Sequence, residues 1–209
     1  ETIEILHALS EQNNLDVLAF DSTVFKEKGC RYSAAPDYYI RKNSYAETIP
    51  GYELYSLFLK NNEYRSPVQL YFYNKNFLNE NELTFRKGII HEDELFTFIA
   101  LLSAERTMHI PALLYNRRYR ANSIMTTRVT QRNSDGMFVV LQEALKMYNK
   151  FHGSPETKQI YDLGIQYFIR GYSGRYGASF RLQDEKGHIQ FESVSKELNS
   201  PGHNTSGRT

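Results

Sequence analysis

Residues 91–102 read HEDELFTFIALL and set three carboxylates directly before the most apolar part of the chain. The pattern predicts a helix over residues 95–104 that is apolar nearly all round, and such a helix lies in the centre of a domain. The free N–H groups and the positive end of a helix stabilise carboxylates at its start. We therefore expect a central helix whose first turn carries concentrated negative charge.

The acidic residues Glu92, Asp93 and Glu94 have two interpretations. Helix starts are commonly acidic, so the carboxylates could simply cap the helix. Alternatively, one of them faces a pocket and accepts a proton from a substrate hydroxyl. A helix N-terminus lowers the pKa of a carboxyl group and weakens it as a base, whereas partial burial raises the pKa again. The sequence leaves both interpretations open.

The rest of the chain alternates between strand-like and helical patterns, which indicates a mixed α/β fold. Strands are expected at residues 15–20, 68–73, 107–110 and 112–115, the last two separated by Pro111. Helical patterns cover 2–11, 52–60 and 137–152, and another helix is expected to begin with Ser154 as its cap. Residues 30–50 and the Asn-rich connection after residue 73 are expected to be irregular.

The composition excludes several classes of protein. The 209 residues are 41% hydrophobic and 14% aromatic with a net charge of +1, which excludes a disordered chain and a general nucleic-acid binder. The single cysteine, Cys30, excludes an internal disulfide and a thiolate zinc site, and it favours a reducing compartment. No apolar run approaches a membrane span. Because a helical pattern starts almost at Glu1, we expect the chain to be a piece of a longer protein.

A basic cluster follows the last predicted strand. In an extended segment, Arg118 and Arg120 share one face and Arg117 lies on the other. Planar guanidinium groups suit phosphate oxygens, and the nearby Ser123 could donate a hydrogen bond to an anion. The alternative is an edge strand that is protected by charge. The residues favour neither interpretation.

Five segments, in order and with matching spacing, resemble the second half of a bacterial family 2 glycosyltransferase. This GT-A-fold family builds cell-surface polysaccharides of the cell envelope. The segments are Gly51-Tyr52-Glu53, then LYFYNK at 70–75, FLNENELTFRKG at 77–88, HEDELF at 91–96 and ALLYNRRYRANSI at 112–124.

The resemblance implies a partial GT-A-like mixed sheet with flanking helices and a C-terminal helical extension. Residues 1–128 would be the C-terminal, acceptor-side half of the glycosyltransferase domain, 129–196 the helical extension and 197–209 a polar tail. The implied function is transfer of a sugar from a nucleotide-sugar donor to a glycan acceptor, with inversion. The alternative is a non-catalytic carbohydrate-binding or scaffold module that retains only the acceptor half.

The resemblance also implies roles for individual residues. Asp93 would be the base that deprotonates the acceptor hydroxyl, with Glu92 beside it in the acceptor site. The other matched positions would bind substrate: His91, Arg117, Arg120, Ser123, Gly51 and Tyr52.

The metal motif of the family, Asp-x-Asp, does not occur in the sequence. We therefore expect Mn²⁺ or Mg²⁺ in the full-length enzyme but no metal, and no activity, with this chain alone. The implied location is cytoplasmic, with the inner face of the membrane as a candidate site. An open sheet edge favours pairing, so a homo-oligomer is a candidate state.

Overall fold

A four-stranded mixed sheet forms the centre of the protein. The computed structural model describes residues 1–31, 34–124, 126–127, 130–150 and 155–176. The strands are β1 (Val17–Lys26), β2 (Tyr45–Ile49), β3 (Tyr71–Tyr73) and β4 (Thr107–Tyr119), in the spatial order β2-β4-β1-β3. Strands β1 and β4 are parallel, and the two outer pairs are antiparallel. The predicted mixed α/β class is confirmed.

Six α-helices accompany the sheet within the described residues. They are α1 (Thr2–Asn13), α2 (Gly51–Lys60), α3 (Lys75–Glu80), α4 (Glu92–Ser103), α5 (Gln131–Lys150) and α6 (Pro155–Tyr176). None of them combines the length and the apolar character of a membrane span. The predicted helices are confirmed, although α4 begins at Glu92, so that its carboxylates lie inside the first turn. The predicted cap Ser154 and the predicted tail at 197–209 lie outside the described residues.

Two segments that were expected to be irregular are ordered elements. Strand β2 lies within residues 30–50, and helix α3 lies in the Asn-rich connection. The side chain of Asn74 accepts a hydrogen bond from the backbone N–H of Asn76 at 2.8 Å and caps α3. Conversely, only the last three residues of the expected strand 68–73 are extended, because Val68–Leu70 forms a 3₁₀ turn.

Pro111 does not divide β4 as expected. The ladder between β1 and β4 shifts at this point, where Phe20 pairs with Ile110 but the next residue, Asp21, pairs with Leu113. Pro111 therefore lies in an irregularity of the strand, where its missing N–H breaks no ladder bond. Strand β4 continues to Tyr119 beside β1 and carries Arg117 and Arg118. Arg120, which was expected to share a strand face with Arg118, follows the end of the strand.

The main hydrophobic core is built around α4, as its apolar sequence predicts. Phe98 is fully buried, and its ring meets that of Tyr55 on α2 at 5.5 Å and that of Phe168 on α6 at 5.1 Å between centroids. Val140 and Leu141 of α5 belong to the same buried cluster. The described helices of the expected C-terminal extension therefore share one core with the sheet.

A smaller core lies on the opposite face of the sheet, beneath α1. Alternate residues of β1 supply the two cores: Val17 and Ala19 belong to the main cluster, and Leu18 and Phe20 belong to the smaller one. Leu6 of α1 covers the smaller core. Strand β1 is therefore buried on both faces, which is the usual situation of a central strand beside a parallel neighbour.

A buried ionic cluster lies where β1 and β4 shift register. Asp21 is fully buried, and its Oδ1 accepts hydrogen bonds from Nη1 of Arg41 at 2.9 Å and from Nε2 of His109 at 3.1 Å. Burial lowers the pKa of His109 despite the hydrogen bond to Asp21, so the imidazole is neutral at pH 7 and donates through Nε2. Asp21 and Arg41 therefore form the ion pair at the centre of this cluster.

The Arg41 guanidinium also connects its own segment to the turn after α2 and to β3 by hydrogen bonds, and it packs against α2. Its Nε donates to the carbonyl oxygen of Glu63 at 3.2 Å, and its Nη2 donates to the hydroxyl of Tyr71 at 3.3 Å. The guanidinium carbon lies 4.4 Å from the ring centroid of Phe58. A buried guanidinium is tolerated only when its donors are satisfied in this way.

Glu63 completes the attachment of the segment that carries Arg41. Its Oε1 accepts the backbone N–H groups of Lys42 at 2.6 Å and Asn43 at 3.0 Å, and its Oε2 accepts the Tyr45 hydroxyl at 2.6 Å. Burial opposes ionisation, but these hydrogen bonds outweigh it and hold the pKa of Glu63 below its usual value. Residues 41–45 are thus fixed to the end of α2.

We predict that Asp21→Asn lowers the free energy of unfolding by about 3–5 kcal/mol, because it leaves the Arg41 charge buried without its counter-ion. Glu27→Gln is the matched control: it breaks the exposed pair with Arg118, whose atoms lie 3.4 Å apart, and should cost less than about 1 kcal/mol. Urea denaturation followed by circular dichroism measures both. A similar small loss in the two variants would contradict the importance of the buried pair.

Candidate functional site

A cavity of about 390 Å³ opens at the start of α4. Six parts of the chain converge on it: the segment before β2, the turn after α2, the first turn of α4, the end of β4, the turn that follows β4, and helix α6. Its wall contains an acidic stretch from His91 to Glu94 and two arginines, Arg65 and Arg117. The aromatic part of the wall consists of Tyr38, Tyr39, Tyr64, Tyr119 and Tyr167.

The backbone fixes the approach to α4. His91 adopts a left-handed conformation with φ 77°, which is uncommon for a residue that carries a side chain and is enriched at functional sites. Gly136 of α5 packs against the preceding residue so closely that a Cβ would lie 2.2 Å from the carbonyl oxygen of Ile90. Helix α5 therefore holds the chain that delivers the acidic residues to the cavity.

The three carboxylates of α4 have different surroundings. Glu92 is exposed, Asp93 is half-buried and Glu94 is buried, and all three line the cavity. Oδ1 of Asp93 accepts the backbone N–H of Glu94 at 3.0 Å. The two interpretations of the sequence are therefore compatible, because Asp93 shares a first-turn N–H with the His91 carbonyl oxygen, which lies 3.2 Å from that nitrogen, and still borders the cavity.

Burial decides the proton affinity of Asp93. Desolvation, followed by the neighbouring charge of Glu92, raises the pKa of this carboxyl above its usual value. The hydrogen bond from Glu94 and the charge of Arg117 oppose the shift but do not cancel it. A carboxylate whose pKa is raised toward the working pH is a better general base than an ordinary one.

The arginines of β4 point to opposite faces, as their alternation predicts. Arg117 lines the cavity, with its guanidinium carbon 4.9 Å from the ring centroid of Tyr39 and 6.0 Å from that of Tyr119. Its Nη1 is buried and has no hydrogen-bond partner among the described residues. Arg118 is exposed on the other face beside Glu27. Of the two, Arg117 is placed to meet a ligand.

Arg120 and Ser123 belong to a turn beside the cavity. Thr126 holds this turn together, because its hydroxyl donates to the carbonyl oxygen of Arg120 at 2.8 Å and lies 3.0 Å from the Ser123 hydroxyl. Ile124 from the same turn lines the cavity, but Arg120 and Ser123 are not among its lining residues. Their predicted contact with substrate stays a prediction.

Gly51 and Tyr52 lie apart from the cavity lining. Gly51 begins α2 against the end of α4, where a Cβ would lie 2.1 Å from the carbonyl oxygen of Leu101. This close approach explains the glycine through helix packing. The expected role of Gly51 and Tyr52 in acceptor binding stays a prediction.

The aromatic wall and Arg65 are features that the sequence reasoning missed. Arg65 stacks 4.3 Å above the ring of Tyr38 and donates to the Tyr38 carbonyl oxygen at 2.6 Å, so it fixes part of this wall. The Tyr-rich composition of residues 30–50 points only to Tyr38 and Tyr39, and the other members of the wall lie elsewhere in the chain. With 16 tyrosines in the chain, composition cannot distinguish those of the core from those of a cavity.

Comparisons with known proteins support the fold. No protein-family model and no curated protein sequence matches this chain. Among solved structures, S. aureus TarS 1–349 in complex with UDP-GlcNAc matches with a TM-score of 0.56 and 20% identity, over 83% of this chain and 45% of TarS. A second structure of S. aureus TarS 1–349 gives a TM-score of 0.51 and 16% identity, over 83% and 43%.

The chain has a partial glycosyltransferase-like fold of the GT-A type. It spans less than half the length of the TarS chains that it matches. Among the described residues, no group of three His, Cys, Asp or Glu side chains could hold a metal ion. The acidic wall of the cavity therefore does not by itself fit a metal centre.

We predict that Arg117→Ala weakens the binding of inorganic diphosphate to the protein about tenfold, because it removes a charge-assisted donor that borders the cavity. Arg118→Ala is the matched control, since it removes the same charge from the neighbouring residue on the opposite face. Isothermal titration calorimetry measures both affinities. Equal effects of the two substitutions would indicate that only the net charge of β4 matters.

Proposed function

We propose that this chain is the C-terminal, acceptor-side half of an inverting glycosyltransferase. The intact protein would transfer a sugar from a nucleotide-sugar donor to a hydroxyl group of a glycan acceptor. The GT-A-like fold supports the reaction class. The observation that carries the proposal is Asp93, a half-buried carboxylate with a raised pKa that borders a cavity with an aromatic wall.

The proposed chemistry uses Asp93 as a general base. Its carboxylate accepts the proton of the acceptor hydroxyl while the hydroxyl oxygen forms a bond to the anomeric carbon of the donor. The bond from that carbon to the diphosphate breaks on the opposite side, and the nucleoside diphosphate leaves with the electron pair. Burial and, after it, the charge of Glu92 keep the pKa of Asp93 raised. Glu92 would lie beside Asp93 in the acceptor site.

The other predicted residues would bind the substrates. Arg117, whose side chain lines the cavity, would stabilise the negative charge that develops on the leaving diphosphate. Arg120 and Ser123 would approach the same group from the adjacent turn. His91 would contact either the diphosphate or the acceptor sugar from the start of α4.

The donor site would lie largely outside this chain. The structure of TarS with UDP-GlcNAc supports a nucleotide-sugar as the donor class of the intact protein. We propose that Mn²⁺ or Mg²⁺ is bound there by residues of the missing half, and that this chain alone binds no metal and is inactive. The motif resemblance further supports surface-polysaccharide synthesis on the cytoplasmic side of the membrane as the setting.

We predict that Asp93→Asn in the full-length protein lowers kcat by a factor of about 10²–10⁴, because amide nitrogen and oxygen cannot accept the acceptor's proton. Donor affinity should change little. Asp135→Asn, a similar change at an exposed site on α5, should leave turnover unchanged. Assay of donor consumption with a glycan acceptor tests both variants, and normal turnover of Asp93→Asn would exclude Asp93 as the base.

The pH profile gives a second readout of Asp93. The base must be ionised to act, so kcat/KM should rise with pH through the pKa of Asp93. Because burial raises that pKa, the rise should lie at higher pH than for an ordinary aspartate. The residual activity of Asp93→Asn should lack this rise. A wild-type profile that is flat across the acidic range would contradict the assignment.

We predict that residues 1–209 alone bind UDP only weakly and in a salt-sensitive manner. Arg117 can attract a diphosphate, but charge without a metal or a nucleotide pocket gives little affinity. Calorimetry with UDP and Mn²⁺ at two salt concentrations measures this. Saturable, micromolar and metal-dependent binding would show that the chain contains a donor site.

A further inference from the structure

The cavity contains a carboxylate and a guanidinium that do not pair with each other. Asp93 and Arg117 both line it. Burial raises the pKa of Asp93 and the charge of Arg117 opposes that shift, so the two groups are near enough to interact. In the described part of the chain, however, Arg117 belongs to no ion pair, and its buried Nη1 meets no acceptor. Because opposite charges attract, another contact must hold the guanidinium where it is.

The guanidinium of Arg117 lies over aromatic rings. Its central carbon is 4.9 Å from the ring centroid of Tyr39 and 6.0 Å from that of Tyr119. A cation within about 6 Å of a ring centroid is attracted by the negative face of the ring, and the attraction is stronger where water is excluded. Tyr39 therefore makes the nearer of the two contacts that hold Arg117.

Tyr39 is itself fixed from three sides. Its hydroxyl lies 3.1 Å from the hydroxyl of Tyr119, and its ring packs edge-to-face against Tyr38 with centroids 4.8 Å apart. Its carbonyl oxygen accepts the backbone N–H of Ser22 on β1 at 3.2 Å. With 3% of its surface exposed, Tyr39 is a rigid support for the guanidinium.

We propose that Tyr39 is a positioning residue that holds the Arg117 guanidinium out of ion-pair contact with Asp93. Both charged groups then stay available, Asp93 for a proton and Arg117 for an anion. Tyr39 acts through Arg117 and not on a substrate. The inference rests on the proposed function for the roles of Asp93 and Arg117, whereas the position of the guanidinium can be tested without any turnover.

The wild-type protein provides the first test. Protons of a guanidinium that lies over the face of a ring are shielded, so the Nε–H signal of Arg117 should be shifted upfield in the NMR spectrum. Tyr39→Phe should keep this shift, because the ring remains, and Tyr39→Leu should lose most of it. An unshifted signal in the wild type would overturn the proposal, and this result does not depend on the folding of any variant.

The pKa of Asp93, followed by ¹³C NMR of its carboxyl carbon, provides the decisive test. Arg117→Ala should raise this pKa, because it removes a neighbouring positive charge. Tyr39→Leu should lower it, because the released guanidinium can pair with the carboxylate. The double variant should behave like Arg117→Ala alone, since no guanidinium is left to move.

Two further variants separate positioning from packing. Tyr161→Leu makes the same change at a buried position on α6 that does not line the cavity, and it should leave the pKa of Asp93 unchanged. Arg117→Lys keeps the charge on a flexible stem without the planar group, so it should lower the pKa as Tyr39→Leu does. It supplies the same comparison if Tyr39→Leu does not fold. An unchanged or raised pKa in the variant that folds, or a lowering by Tyr39→Leu that persists without Arg117, would overturn the proposal.

Binding of inorganic diphosphate gives a third readout. Tyr39→Leu should weaken it about threefold, because Arg117 must first leave its new carboxylate partner, whereas Tyr39→Phe should match wild type. Equal affinities of Tyr39→Leu and wild type would overturn the proposal.

The proposed function fails or stands separately. Normal turnover by Asp93→Asn would remove Asp93 as the base, and the NMR results would still support the positioning of Arg117 by Tyr39. Conversely, loss of turnover in Asp93→Asn together with a pKa of Asp93 that ignores Tyr39→Leu would overturn only the role of Tyr39.

Discussion

The ion pair between Asp21 and Arg41 holds together the parts of the protein that form the cavity. Asp21 lies on β1 at the register shift with β4, and Arg41 lies at the end of the segment that carries Tyr38 and Tyr39. This segment contains no helix or strand, so side-chain hydrogen bonds must replace the backbone ladder that fixes a regular element. Arg41 also binds the carbonyl oxygen of Glu63, next to Tyr64. One buried guanidinium thus connects the sheet to two walls of the cavity.

A buried ion pair of this kind fixes the positions of the segments that it connects more than it stabilises the fold. Desolvation of both ions offsets most of their attraction, and apolar residues of similar volume can stabilise a core equally well. Directed hydrogen bonds, however, define where the connected segments lie. Tyr38 and Tyr39 depend on these bonds, because their segment has no regular backbone hydrogen bonds to fix where its rings lie. Arg65 adds a second attachment at the same loop through its contacts with Tyr38.

The properties of the cavity arise from opposing electrostatic effects at one helix start. The N-terminus of α4 and the charge of Arg117 favour ionised Asp93, whereas burial and Glu92 favour its protonated form. The result is a raised pKa, so the site keeps a carboxylate that is both held by a helix and able to accept a proton. Helix α5 supports this arrangement through the close contact of Gly136 with the backbone before His91.

The sequence by itself determined the mixed α/β class, the apolar central helix and the acidic start of that helix, because these depend on local pattern. It also determined that Arg117 and Arg118 face opposite ways, since side chains alternate along any strand. It did not reveal that β4 continues past Pro111, because an irregular ladder that tolerates proline depends on the neighbouring strand.

Only the tertiary structure decided which residues line the cavity together with Asp93. Tyr38, Tyr64 and Arg117 are distant in sequence and meet only when the sheet, the loop and α6 pack around α4. The direction of the pKa shift of Asp93 was likewise open in the sequence. Desolvation depends on what covers a carboxyl group in three dimensions, whereas capping depends on its position along a helix.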